Sequence, residues 1–171
     1  MGGENPSSNS VNIYVNTTGS DDGAGSKESP YNSLNKAISS VTETQDTVIY
    51  LSEGTFSGEK NTNLNIDSSG GSLTIIGQGS DKTFIDGKYT GIVFTSMSKN
   101  SLVTLKDIAF VNCNSSTAAQ NQAPVITSNA ILTIENCVFE NNYGTDAYGA
   151  IYQRSNNLTA VSYTHLRAHE T

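Results

Sequence analysis

The sequence predicts an all-β chain coiled as a parallel β-helix, a solenoid in which each turn stacks on the last. Three observations carry this. First, residues 103–113 (VTLKDIAFVNC) and 132–142 (LTIENCVFENN) repeat a pattern at a step of 29, with Thr104/Thr133, Phe110/Phe139 and Asn112/Asn141 identical. Four further positions exchange one apolar residue for another: Val103/Leu132, Leu105/Ile134, Ile108/Cys137 and Ala109/Val138. Second, LTII at 73, VTL at 103, LTI at 132 and LTA at 158 return at steps of 30, 29 and 26, and each step holds about three short strands. Third, those strands are separated by Gly, Asn, Asp and Ser, and Asp86-Gly87 is the sole two-residue hairpin signal. A sandwich has no need for equivalent strands on a fixed period. A parallel coil does, because it stacks each strand about 4.8 Å above its equivalent in the previous coil.

The elements follow in order. Residues 1–10 read as a flexible leader without the apolar core of a signal peptide, and Pro6 breaks the myristoylation pattern. VNIYV (11–15) alternates apolar and polar positions, as a half-buried strand does. A loop rich in Gly, Ser and Asp follows. Beyond Pro30, the residues Leu34, Ala37, Ile38 and Val41 fall at i, i+3, i+4 and i+7, which predicts one amphipathic helix with Pro30 near its start. Residues 11–46 thus form an N-terminal cap of strand, loop and helix. From Thr47 the strands run TVIYL, LNI, SLTIIG, TFIDG, GIVF, LVTL, IAFV, PVIT, ILTI, CVF and GAIY, making coils over 47–160. Leu132, Ile134, Cys137 and Phe139 should point inward above Val103, Leu105, Ile108 and Phe110. The change of parity between Ile134 and Cys137 marks a bend at Asn136, and Asn112 and Asn141 mark the next corner, where left-handed backbone is tolerated.

Composition narrows the function. The 171 residues include 19 Asn, 23 Ser and 19 Thr, with no Trp, two Arg and a net charge of −7. No basic stripe is available to neutralise phosphates, which excludes nucleic acid as a partner. No apolar run reaches the roughly 20 residues that span a bilayer, so no transmembrane segment is expected. Of the two cysteines, Cys137 replaces the apolar Ile108 and reads as a small core residue, while Cys113 sits at a turn; a disulfide between them stays open. No native histidine accompanies them to build a zinc site.

The stretch IYVNTTGSDDGAGSKESPYNSLNKAI followed by DTVIYLSEGTF resembles the N-terminal part of right-handed parallel β-helix proteins of the pectin-lyase-like fold. FENN (139–142) and YGAIY (148–152) resemble the Phe-x-x-Asn and Gly-Gly-Ala-Ile pair of polymorphic outer-membrane-type repeats and of adhesin-like surface proteins of methanogenic archaea. Tyr148 stands where that motif has its first Gly, and Cys113 where it has Asn. The resemblance implies a right-handed helix with its first coil capped by the α-helix. It also implies an extracellular or cell-surface, non-enzymatic protein, with cell-surface glycans or cell-envelope components as partners. The chain then reads as an N-terminal piece of a longer protein, with self-association through an open C-terminal coil.

The same fold hosts polysaccharide lyases and glycoside hydrolases, which makes the non-catalytic beginning of such an enzyme the alternative. Lyases of the fold use clustered acids for calcium with an Arg or Lys base; hydrolases use convergent carboxylates. Here the acidic residues of the coils are Asp67, Asp81, Asp86, Asp107, Glu135, Glu140 and Asp146, and only Lys106 beside Glu135 are aligned outward neighbours, a ladder pair. No catalytic residue and no cofactor is assigned. Asp21 and Asp22 in GSDDGAG are the weak candidates for a cation, without the alternating ligands and distant Glu of a calcium loop. Asn16, Asn114 and Asn157 head glycosylation triplets that matter only in an exported chain. Tyr14, Tyr50, Tyr89, Tyr143, Tyr148 and Tyr152 are candidates for a glycan surface, although a half-buried sheet position is the commoner fate of such aromatics. His165 and His169 lie in VSYTHLRAHET, after the Asn/Ser/Thr pattern stops. That string is similar to a translated sequencing adaptor, so residues 161–171 are expected to be a non-native tail without a continuing coil pattern, and the His-x-x-x-His spacing carries no metal site.

Overall fold

Alternating burial along short strands builds the molecule. A computed structural model describes residues 10–68, 70–118, 121–144, 149–161 and 164–167. Strand β1 (Val11–Val15) and helix α1 (Leu34–Ser39) precede the coils. The first coil holds β2 (Thr47–Leu51), β3 (Gly54–Ser57), a 3₁₀ turn (Glu59–Asn61) and β4 (Leu64–Ile66). The second holds β5 (Ser72–Ile76), β6 (Thr83–Asp86) and β7 (Phe94–Met97), and the third β8 (Leu102–Lys106), β9 (Ala109–Val111) and β10 (Ile126–Ser128). The fourth holds β11 (Ile131–Glu135), β12 (Val138–Asn142) and β13 (Ile151–Gln153); β14 (Leu158–Val161) and β15 (Thr164–Arg167) begin a fifth. Equivalent strands stack into three sheets, ordered β1-β2-β5-β8-β11-β14, β4-β7-β10-β13 and β15-β12-β9-β6-β3. Every pairing is parallel. This is an all-β parallel β-helix, and right-handed crossover is the sense that strand twist imposes on such connections.

The register is the one the repeat predicts. Leu73 pairs with Val103, Val103 with Leu132 and Leu132 with Leu158. Inside, Ile13, Ile49, Ile75, Leu105 and Ile134 form one buried column, and Val103, Ile108, Phe110, Leu132, Cys137 and Phe139 are buried as expected. The corners recur too. Asp107 and Asn136 have φ of 58° and 51°, Asn112 and Asn141 of 55° and 57°. A short polar side chain tolerates this left-handed backbone better than a bulky one. Asn142 adds an internal strut: its Oδ1 accepts the Cys113 N–H at 2.9 Å and its Nδ2 donates to the Phe110 carbonyl at 3.1 Å, so an amide in the core is satisfied by backbone one coil away.

Four sequence expectations need correction. The helix begins at Leu34, capped by Ser33, whose side chain accepts the Lys36 N–H at 3.2 Å, so Pro30 lies before the cap and outside the first turn. It ends at Ser39, so Val41 packs against the core from outside it. In the third sheet the strands lie two or three residues later than GIVF, PVIT and GAIY suggest. Val93, Val125 and Ala150 are buried at the corner before each strand, so the apolar run starts before the ladder does. Finally, the coil pattern continues past 161: Thr164–Arg167 lie parallel to β12, with Val138 opposite Thr164 and Phe139 opposite His165. The leader before residue 10 and tail residues 162–163 and 168–171, with His169, lie outside the described residues.

Helix α1 covers the beginning of the stack. Leu34 and Ala37 are buried in the common core, and Ile38 packs beside them. Asn61, itself buried, accepts the Leu34 N–H at 2.9 Å through Oδ1 and donates to the Ser57 carbonyl at 2.9 Å. It thereby satisfies a helix-end donor that the helix itself cannot.

Candidate functional site

The two aspartates of GSDDGAG have different fates. Asp21 Oδ1 accepts the N–H groups of Asn32 (2.9 Å) and Ser33 (3.0 Å), and Oδ2 accepts the Ser33 hydroxyl (2.8 Å). Lys60 Nζ stands 3.6 Å from Oδ2. Partial burial pushes this carboxyl up, yet the Ser33 hydroxyl, the two backbone N–H groups and the Lys60 charge together hold it below the ordinary value. Asp21 is thus a brace that fixes the start of α1. Asp22 is exposed, and its N–H donates to Ser20 Oγ at 3.2 Å. The loop closes on itself through Gly25, whose N–H donates to the Ser29 carbonyl and whose φ of +73° leaves no room for a side chain beside the Tyr31 ring.

The other acidic residues stay dispersed. Asp86 Oδ1 accepts the Lys88 N–H at 2.8 Å and the Asn112 side-chain amide at 3.2 Å, stapling a turn to the next coil. Lys106 Nζ lies 3.5 Å from Glu135 Oε1, the expected ladder pair. Asp107 occupies a left-handed corner, and Asp67, Asp81 and Glu140 are exposed. Asp146 lies outside the described residues. Among the described residues no three Asp, Glu, His or Cys side chains converge. Cys113 and Cys137 are both free and buried, and burial pushes their thiols up to about 12 and about 11.

Of the tyrosines, Tyr14 and Tyr50 meet, stacked at 5.0 Å on the outer face of the first sheet. Tyr152 lies under the Arg154 guanidinium at 5.3 Å, Tyr89 and Tyr143 are exposed on other edges, and Tyr148 is outside the described residues. Asn16 is folded onto Thr18, whose N–H and hydroxyl both reach its Oδ1 at 3.0 Å; Asn114 Nδ2 donates to the Tyr89 carbonyl at 2.9 Å. Asn157 is exposed.

The sequence reading missed the outer face of the third sheet. There Asn63, Asn65 and Asp67 point outward in a row from β4 and its flanks. The hydroxyls of Thr95 and Ser96 on β7 both donate to Asn65 Oδ1, at 2.7 and 2.9 Å. A cleft of about 260 Å³ lies on one side of this cluster, between β4 and α1, where Asn35, Ile38, Ser39 and Val41 form the opposite wall. A smaller one of about 120 Å³ lies on the other side, toward Thr127, Gln122 and Arg154. The signal for this row is the period-2 run N-L-N-I-D at 63–67, which alternates buried and exposed; its partner wall on α1 is 24 residues or more distant and has no signal in the sequence.

No protein-family model matches the chain, and no curated protein matches it in sequence. The residues themselves carry the functional reading. Among the described residues no helix is long and apolar enough to cross a membrane.

Proposed function

We propose that the chain is a non-enzymatic, adhesin-like β-helix module that works at the cell surface, in adhesion or cell-envelope display, with glycans as its partners. One observation supports this above the others: the carboxylates best held in the molecule are tied to its own architecture. Asp21 braces the cap, Asp86 staples a turn, and Glu135 pairs with Lys106. A catalytic carboxylate in glycoside chemistry has to face a second one across the bond it breaks. The outward surface instead carries hydroxyls and amides, such as the Thr74, Thr104, Thr133 and Thr159 column and the Asn65–Thr95–Ser96 cluster. Such groups bind polyhydroxylated surfaces by many weak hydrogen bonds.

The test has two arms. Fluorescently labelled chain should be retained on cell-envelope polysaccharide or whole cells and be released by soluble glycan. The same preparation should yield no unsaturated or reducing products from polygalacturonate, alginate or chondroitin, with or without calcium. Product release would favour the lyase or hydrolase reading.

A further inference from the structure

We draw no further inference here: the strongest candidate, the pocket of about 120 Å³ lined by Thr95, Thr127, Gln122 and Arg154 on the outer face of the third sheet, holds no group that calls for an occupant, since Arg154 is exposed and already lies over the Tyr152 ring and the unpartnered Gln122 Oε1 is closed off from solvent.

Discussion

Phe139 stacks on Phe110 one coil below, with ring centroids 5.0 Å apart and planes 25° from parallel, and Phe94 meets Phe110 edge-on at 6.2 Å. These rings are the interior counterpart of the repeat in the sequence. The third and fourth coils both present an aromatic at this register, whereas the second has Ile85 there, and the offset stacking of the two rings adds to the area buried.

Phe110 touches one aromatic on the third sheet of the coil before it and one in the next coil, so removing it opens the stack on two sides. Phe110→Ala should destabilise the fold by about 3–5 kcal/mol and Phe110→Leu by far less. Urea unfolding measures both. A loss under about 1 kcal/mol for the alanine variant would mean that the aromatic column is incidental.

The corner at Asn136 has φ of 51°, and among the described residues its side chain makes no hydrogen bond that a smaller residue would forfeit. Asn136→Ala should therefore cost about 1 kcal/mol through left-handed backbone strain. Asn136→Gly should be better tolerated, because glycine adopts that conformation without a steric penalty. If the two variants unfold at the same denaturant concentration, strain is not what the asparagine relieves.

Asp21 links acidity to the cap. Its carboxyl is held below its ordinary value in the folded chain, so its stabilisation is complete at pH well above the unfolded carboxylate's pKa and drains as pH falls through it toward the folded value. The melting temperature should start to fall below about pH 5 and continue down through pH 4. Asp21→Asn should lose about 1–3 kcal/mol at neutral pH and show a flatter acid limb. An unchanged acid limb would reassign the effect to other carboxylates.

Cys113 and Cys137 are buried, with thiols pushed up to about 12 and about 11. At pH 8 almost no thiolate is present in the native state, so a thiol reagent should label them only through opening of the coils. Labelling rates should rise with urea along with global unfolding. Fast, urea-independent labelling would show that one of them is accessible.

The last described coil should be the loosest. Leu158 continues the inward column of Leu132 yet is 42 % exposed, and Val161 is 50 % exposed. Amides of residues 131–160 should exchange faster than those of 47–110, and sedimentation should reveal association as concentration rises, through the β14 edge. Uniform protection in a chain that stays monomeric would contradict this.

How much was legible in the sequence depends on distance along the chain. The coil register at Leu73, Val103, Leu132 and Leu158, the inward residues and the Asn136 and Asn112 corners were readable, because each stacking partner sits about one period away and must solve the same packing problem. The third-sheet strand limits were not, because Val93, Val125 and Ala150 bury at a corner and apolarity alone does not distinguish a buried corner from a strand. Nor was the continuation over Thr164–Arg167, since backbone pairing to β12 asks little of the side chains. By itself, then, the sequence determined a solenoid and which side chains fill it, because a repeated pattern dictates repeated contacts. Only the tertiary structure decided that Asp21 braces Ser33, and that Asn35 lies across a cleft from Asn63, Asn65 and Asp67. Those partners belong to no repeat, and only the docking of α1 against the first coil brings them within reach.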